Sequence, residues 1–201
     1  MKFVALDLET SGLNSQYDQI NQIGLALFDN GQIVDAYSAT MRASGKYKIS
    51  IDALTVQIGM PPEDVTQSEA WFEKVNEFLR TRMYGTEGRE VATQIRDWSE
   101  RNQANTLPVV AINASFDHAF FAEWVFRQRA VFKTPPLGYQ WHCAMELAKL
   151  KMPGQKKYSL DICLLAAGLP PRPSAHDALA DAIAAGQLYN YLMNMEQTNG
   201  V

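Results

Sequence analysis

The sequence predicts an α/β fold, on three observations. Phe3-Val4-Ala5-Leu6-Asp7-Leu8-Glu9 opens the chain as a run apolar on both faces, which marks a central strand covered above and below. Residues 20–29 and 32–41 flank the turn signal Asp29-Asn30-Gly31 and read as a hairpin. Beyond about residue 107, short apolar strands alternate with segments of helical spacing.

The first strand also carries the first chemistry. Alternation puts Asp7 and Glu9 on one side with Phe3 and Ala5, and Val4, Leu6 and Leu8 on the other. Two like charges side by side raise each other's pKa and lose hydration, a cost that a bound cation removes. Oxygen-only ligands suit magnesium or manganese better than zinc. The alternative is a solvated strand end before the turn at Gly12, with both carboxylates exposed.

From about 43 to 107 the pattern is polar loop and helix. Thr66 and Glu69 have capping-box spacing ahead of Trp71, Val75, Phe78 and Leu79. Val91, Ile95 and Trp98 mark a second, shorter amphipathic helix, ending in Asn102-Gln103-Ala104-Asn105. A strand-pairing core needs a far shorter connection, so this stretch is a helical elaboration, serving either as a lid or as a cover.

Residues 108–113 form a short strand that runs into Ala114-Ser115-Phe116-Asp117 and a helix to about 130. Asp117, Phe120, Phe121, Trp124 and Val125 fall on one stripe, with the carboxylate at its head. A plainer reading makes Asp117 a favourable charge at a helix N-terminus, with Ser115 as cap. Residues 139–143 suggest a fifth strand, with a helix following through 151. Residues 159–167 form another helix, opened by Ser159 and closed by Gly168 with Pro170 beyond.

The last helix holds an anomaly. Ala178, Asp181, Ala182, Ala185, Leu188, Tyr189 and Leu192 share a face on which Asp181 is the only charge. Alanines let the helix approach the sheet, burying a carboxylate that then needs a partner, and a metal at the sheet edge would supply one. A rotated helix burying Leu179 and Ile183 would free Asp181 instead. His176 precedes Asp181 by an offset of about 140° around a helix axis. It therefore belongs to the loop or first turn after Pro170-Pro171-Arg172-Pro173-Ser174-Ala175, free to reach over a site anchored by Asp181.

Composition narrows the classes. A chain of 201 residues suits one domain, 1–201, and 47% hydrophobic with 20% charged residues is ordinary for an ordered globular protein. No apolar run approaches the ~20 residues that span a bilayer, and Met1-Lys2-Phe3 leads into a strand rather than a signal peptide, so the expectation is a cytoplasmic protein. Cys143 and Cys163 are too few for a disulfide framework or a zinc site and read as packed, reduced thiols. The net charge of −4 disfavours duplex binding by bulk electrostatics but leaves room for a short strand gripped near bound cations. Basic residues cluster at Arg42, Lys46 and Lys48, at Arg127, Arg129 and Lys133, and at Lys149, Lys151, Lys156 and Lys157, each cluster otherwise a solvated face.

Asp7, Glu9, Asp117 and Asp181 thus each lie on an apolar element, and His176 adjoins the last. Four acids at one point repel without counter-charge. Two divalent cations about 3.5–4 Å apart would balance them and take a phosphodiester between them, with His176 titrating near working pH as a base.

Asp7-Leu8-Glu9-Thr10-Ser11-Gly12-Leu13, Asn113-Ala114-Ser115-Phe116-Asp117 and His176-Asp177-Ala178-Leu179-Ala180-Asp181-Ala182 resemble, in order and spacing, the three motifs of the DEDDh 3′–5′ exonucleases. That group includes the proofreading epsilon subunit of bacterial DNA polymerase III and ribonuclease T, and the likeness covers nearly the whole chain. It implies a ribonuclease H-like fold, a five-stranded mixed sheet with helices on both sides. It also implies two magnesium or manganese ions: Asp7 would bridge both, Glu9 and Asp181 would complete the tighter site, and Asp117 would hold the second ion, largely through water. His176 would deprotonate the attacking water. Thr10, Gly12 and Leu13 would line the terminal nucleotide, with Asn113 and Phe116 on the opposite wall.

The expected reaction is release of nucleoside monophosphates from a single-stranded DNA 3′ end, with RNA trimming as the alternative and an inactive nucleic-acid-binding relative as the reading from another class. Two departures stand out. The 43–107 connection is longer than the compact family core requires, and His142 replaces an acidic residue frequent in relatives, so it receives no catalytic role. The sequence leaves open a homodimer or a polymerase partner. The absence of an extended tail after the final helix leaves room for a free-standing enzyme.

Overall fold

In the computed structural model, which describes residues 1–45, 47–60, 69–174 and 176–195, Lys2–Thr10 (β1) is the middle strand of five. Ile20–Asp29 (β2) and Gln32–Thr40 (β3) pair antiparallel on one side of it; Val109–Ala111 (β4) and Trp141–Cys143 (β5) pair parallel on the other. The order is β3-β2-β1-β4-β5, a mixed five-stranded sheet with helices on both faces. The hairpin turns through Asn30 (φ 49°) and Gly31 (φ 80°), both left-handed, as a two-residue turn matched to strand twist demands.

Alternation along β1 sorts its side chains as expected. Val4, Leu6 and Leu8 enter a core shared with Val91, Ile95, Trp98 and Phe121, while Phe3 and Ala5 enter the opposite core with Leu164, Leu188 and Tyr189. Phe3 stacks on Phe28 at 4.9 Å between ring centroids. Each fully buried Val, Leu or Phe among them contributes about 1.5–3 kcal/mol, which is what holds a two-sided central strand in place.

The helices are Ile51–Gln57 (α1), Glu69–Met83 (α2), Gly88–Asn102 (α3), Ala114–Arg127 (α4), Ala144–Lys151 (α5), Leu160–Ala166 (α6) and Ala178–Asn194 (α7). Residues of α3 and α4 bury onto one sheet face, and those of α5, α6 and α7 onto the other. Between lid and cover, α3 is a cover, because Val91, Ala92, Ile95 and Trp98 are buried in the core. Its neighbour α2 behaves differently. Phe72 and Leu79 are exposed, and the only buried residue of α2 is Arg82. Arg82 donates to the carbonyls of Asn21 (2.5 Å) and Ile20 (3.4 Å) and lies over the Tyr47 ring, tying α2 to β2 by polar contacts. Thr66 of the expected capping box, and Lys46 of the first basic cluster, lie outside the described residues.

Several boundaries shift for local reasons. β3 ends at Thr40, one residue early, because Met41 leaves the hairpin to bridge Thr86. Asn113, not Ser115, occupies the N-cap of α4; the Ser115 hydroxyl lies inside the first turn and donates to Asn113 Oδ1 at 3.2 Å. β5 starts at Trp141 rather than residue 139, with Tyr139 exposed. Ser159 sits at the N-cap of α6, although its side chain makes no capping bond, and Gly168 (φ 66°) follows the helix end. Both cysteines are free thiols, Cys163 buried and Cys143 donating to the Ile112 carbonyl at 3.3 Å. Among the described residues no helix is long and apolar enough to cross a membrane.

Candidate active site

β4 pairs with β1 only at Val4 and Ala5, so the last third of β1 runs on past its parallel neighbour and offers Asp7 and Glu9 at an open sheet edge. Asp7 is buried and faces Gly24 across the antiparallel pair, while Glu9 faces Gln22. Gly24 is required by close approach: a Cβ there would collide with the Ala178 backbone, where α7 begins. Gln22 fixes that start, its Oε1 accepting from the Ala178 N–H at 2.9 Å, and Asp177 caps the helix by accepting from the Ala180 N–H at 2.9 Å. One turn further along, Asp181 is 5% exposed, and the rotated α7 that would free it is not the one adopted.

Asp117 arrives from the opposite face, at the head of α4, and is 2% exposed. Burial pushes its pKa up to about 8, with the backbone amides of Asp117 itself and of Leu8 opposing. Asp7 is driven well above the usual carboxylate range by burial, then by the charges of Asp117, Asp181 and Glu9, with Arg172 opposing. Burial likewise raises Asp181. Asp7 is therefore within electrostatic reach of the other three acids.

His176 adopts a left-handed backbone (φ 62°), uncommon for a residue other than glycine, in the turn just before the Asp177 cap. Its Nδ1 stands 3.7 Å from Glu9 Oε1. That contact raises its pKa, with the charges of Glu9 and Asp181 adding to the effect. Glu9, His176 and Asp181 each offer a donor atom within 4.8 Å of the others. Asp181 Oδ1 is buried without a hydrogen-bond partner. The carboxylates of this cluster, one with an orphaned oxygen, are oxygen donors that fit a hard divalent cation.

Asp181 nevertheless has a partner that sequence reasoning missed. Arg172 Nη1 donates to Asp181 Oδ2 at 2.5 Å, while its Nε and Nη2 reach Asp161 at 2.8 and 2.6 Å. The available signal was a single cation among Pro170, Pro171 and Pro173, directly before His176. His142 lies away from this cluster, its Nδ1 3.0 Å from the Tyr189 hydroxyl.

The residues expected to meet a nucleotide lie at the end of β1 and the head of α4. The Thr10 hydroxyl donates to the Gly12 carbonyl at 2.7 Å, and a Cβ on Gly12 would press on the Asp18 carboxylate. Leu13 projects from it, 87% exposed. Asn113 is exposed at the α4 N-cap, and Phe116 packs on Phe120 at 4.9 Å between ring centroids. The elaboration braces the Thr10 side: Gln57 Nε2 donates to the Thr10 carbonyl at 2.7 Å, Asn21 Nδ2 to Gln57 Oε1 at 2.8 Å, and the Ser50 N–H to the Ser11 carbonyl at 3.0 Å.

The same fold occurs in the nuclease domain of 3′hExo, a DEDDh family member bound to rAMP, with a TM-score of 0.69 and 13% identity over 96% of this chain and 91% of that one. E. coli Exonuclease I in complex with a dT13 oligonucleotide has a TM-score of 0.68 and 15% identity, over 96% of this chain and 41% of that one. The fold is that of the DEDDh nuclease domain of 3′hExo and of Exonuclease I. In sequence, a PolC-type DNA polymerase III of Thermotoga petrophila is 29% identical over 199 residues, which is 99% of this chain and 12% of that polymerase. Residues 2–193 match the 3′–5′ exoribonuclease Rv2179c-like domain, and the chain belongs to that family.

Proposed function

We propose that this chain, read as one exonuclease domain with the 43–107 elaboration, is a metal-dependent exonuclease that shortens single-stranded nucleic acid from its 3′ end and releases nucleoside monophosphates. The observation that carries the reading is the burial of Asp7, Asp117 and Asp181, with Glu9, His176 and Asp181 presenting donor atoms within 4.8 Å of one another. RNA is the substrate that the family description supports. DNA, the expectation from the motifs, is the second reading, supported by the PolC-type relative and by the oligonucleotide bound to Exonuclease I.

Asp7, Glu9, Asp117 and Asp181 would hold two magnesium or manganese ions. When bound, such ions neutralise the phosphodiester and stabilise the departing 3′-oxygen. Leu13 and Phe116 would supply apolar surface for the terminal base, and Thr10 and Asn113 polar atoms for its sugar. Glu9 faces His176 Nδ1, so Nε2 is the nitrogen free to take the proton of the attacking water.

The test is an assay on matched 5′-labelled RNA and DNA single strands, with magnesium, manganese or chelator. Shortening from the 3′ end that depends on metal is expected, faster on RNA. Asp7→Ala should lower the rate by at least about 100-fold. A wild-type protein that leaves both strands intact with either metal overturns the reading, and an active Asp7→Ala variant overturns the two-metal account.

A further inference from the structure

Arg172 stands outside the ligand set that the motifs pick out, yet its side chain is only 9% exposed and is clamped between two carboxylates. It holds Asp161 with Nε on Oδ1 and Nη2 on Oδ2, and spends its remaining nitrogen, Nη1, on Asp181 Oδ2. Asp161 itself sits in the first turn of α6, its side chain 62% exposed. The other Asp181 oxygen, Oδ1, is the buried atom without a partner, and Asp181 shares its short-range donor cluster with Glu9 and His176. One oxygen is taken and the other is left open. A planar guanidinium can grip both acids in fixed geometry, which an ammonium cannot.

We propose that Arg172, braced by Asp161, is a positioning residue that orients Asp181 so that Oδ1 is presented to a metal ion; the proposal rests on the metal-dependent site proposed above. Two effects compete. A guanidinium beside a metal ligand repels an incoming cation, whereas a ligand locked in orientation binds it more tightly. The bidentate pair with Asp161 already neutralises Arg172, which weakens the repulsion and leaves orientation dominant. Loss of such outer partners typically costs about 10–100-fold in metal affinity. Pro170, Pro171 and Pro173 restrict the loop backbone on both sides of Arg172, so little entropy opposes the clamp.

Calorimetric titration of Mn²⁺ into metal-free protein tests this, with circular dichroism to verify folding. Arg172→Gln is expected to weaken Mn²⁺ binding by about 10-fold or more. Arg172→Lys, which keeps the charge but loses the fork, should fail to restore it. Asp161→Asn alters an exposed residue away from the cluster and keeps the assay decisive if Arg172→Gln does not fold; it should weaken binding in the same direction by a smaller factor. Variants that bind Mn²⁺ as tightly as wild type, or more tightly, overturn the proposal, the second outcome making Arg172 a competitor of the cation. A wild-type protein that binds no Mn²⁺ overturns it together with the metal reading, and the two failures are told apart by that one control.

Discussion

Asp7, Asp117 and Asp181 are each less than a tenth exposed, and Arg172 and His176 are the basic residues that face them among the described residues. Each acid was visible in the sequence as a charge on an otherwise apolar face, because periodicity reports which face is buried. Arg172 had no such face: it lies in a proline-rich loop, and its meaning comes only from where the loop is folded. The five-residue offset from Asp181 and the preceding proline-rich run put His176 outside the helix, and it sits in the turn before the Asp177 cap. The residue-scale prediction concerns its role. His176→Ala should lower kcat by about 100-fold or more while leaving Mn²⁺ affinity unchanged by calorimetry. Loss of Mn²⁺ binding would make it a ligand instead, consistent with its donor atom near Glu9 and Asp181.

At the scale of elements, the site depends on close approach from one side and bracing from the other. Helix α7 comes near enough to bury Asp181 because Ala178, Ala182 and Ala185 face the sheet and Gly24 offers no Cβ where α7 begins. The alanine face was readable in sequence; its meeting with Gly24, from a distant strand, was not. Helix α1 braces the opposite side through Gln57, which joins Asn21 to the Thr10 carbonyl. Gln57→Leu would leave both groups unpaired. Its expected cost is about 1–3 kcal/mol by chemical denaturation, with a raised KM for a single strand and a kcat near wild type. An unchanged KM would uncouple the elaboration from the substrate wall.

For the whole molecule, the acid cluster sets how stability varies with pH. The raised pKa values of Asp7, Asp117 and Asp181 mean that the folded chain holds more protons than the unfolded one. For Asp117 this window runs from the ordinary 3.8 to about 8. Stability contributed by a raised pKa is full below the unfolded value and is lost as pH rises through the folded one. His176, raised above 6.5 beside Glu9, acts in the same direction. Metal-free protein is therefore expected to melt at progressively lower temperature from about pH 5 to about pH 8, and Mn²⁺ to raise the melting temperature more at the upper end. Thermal melts in chelator and in Mn²⁺ check this, and a midpoint that rises over the same range in chelator would contradict the charge account.

By itself the sequence determined the strand and helix periods, the hairpin, and the positions of four acids and a histidine on defined faces. These are local properties, set by side-chain alternation, helical spacing and turn chemistry. Tertiary structure alone decided that α3 covers the sheet while α2 stays at the periphery, and that Gln57 supports the Thr10 turn. It also decided that Arg172 joins Asp161 to Asp181. Those outcomes are pairings between segments far apart along the chain, and a partner's identity leaves no periodic trace in either segment.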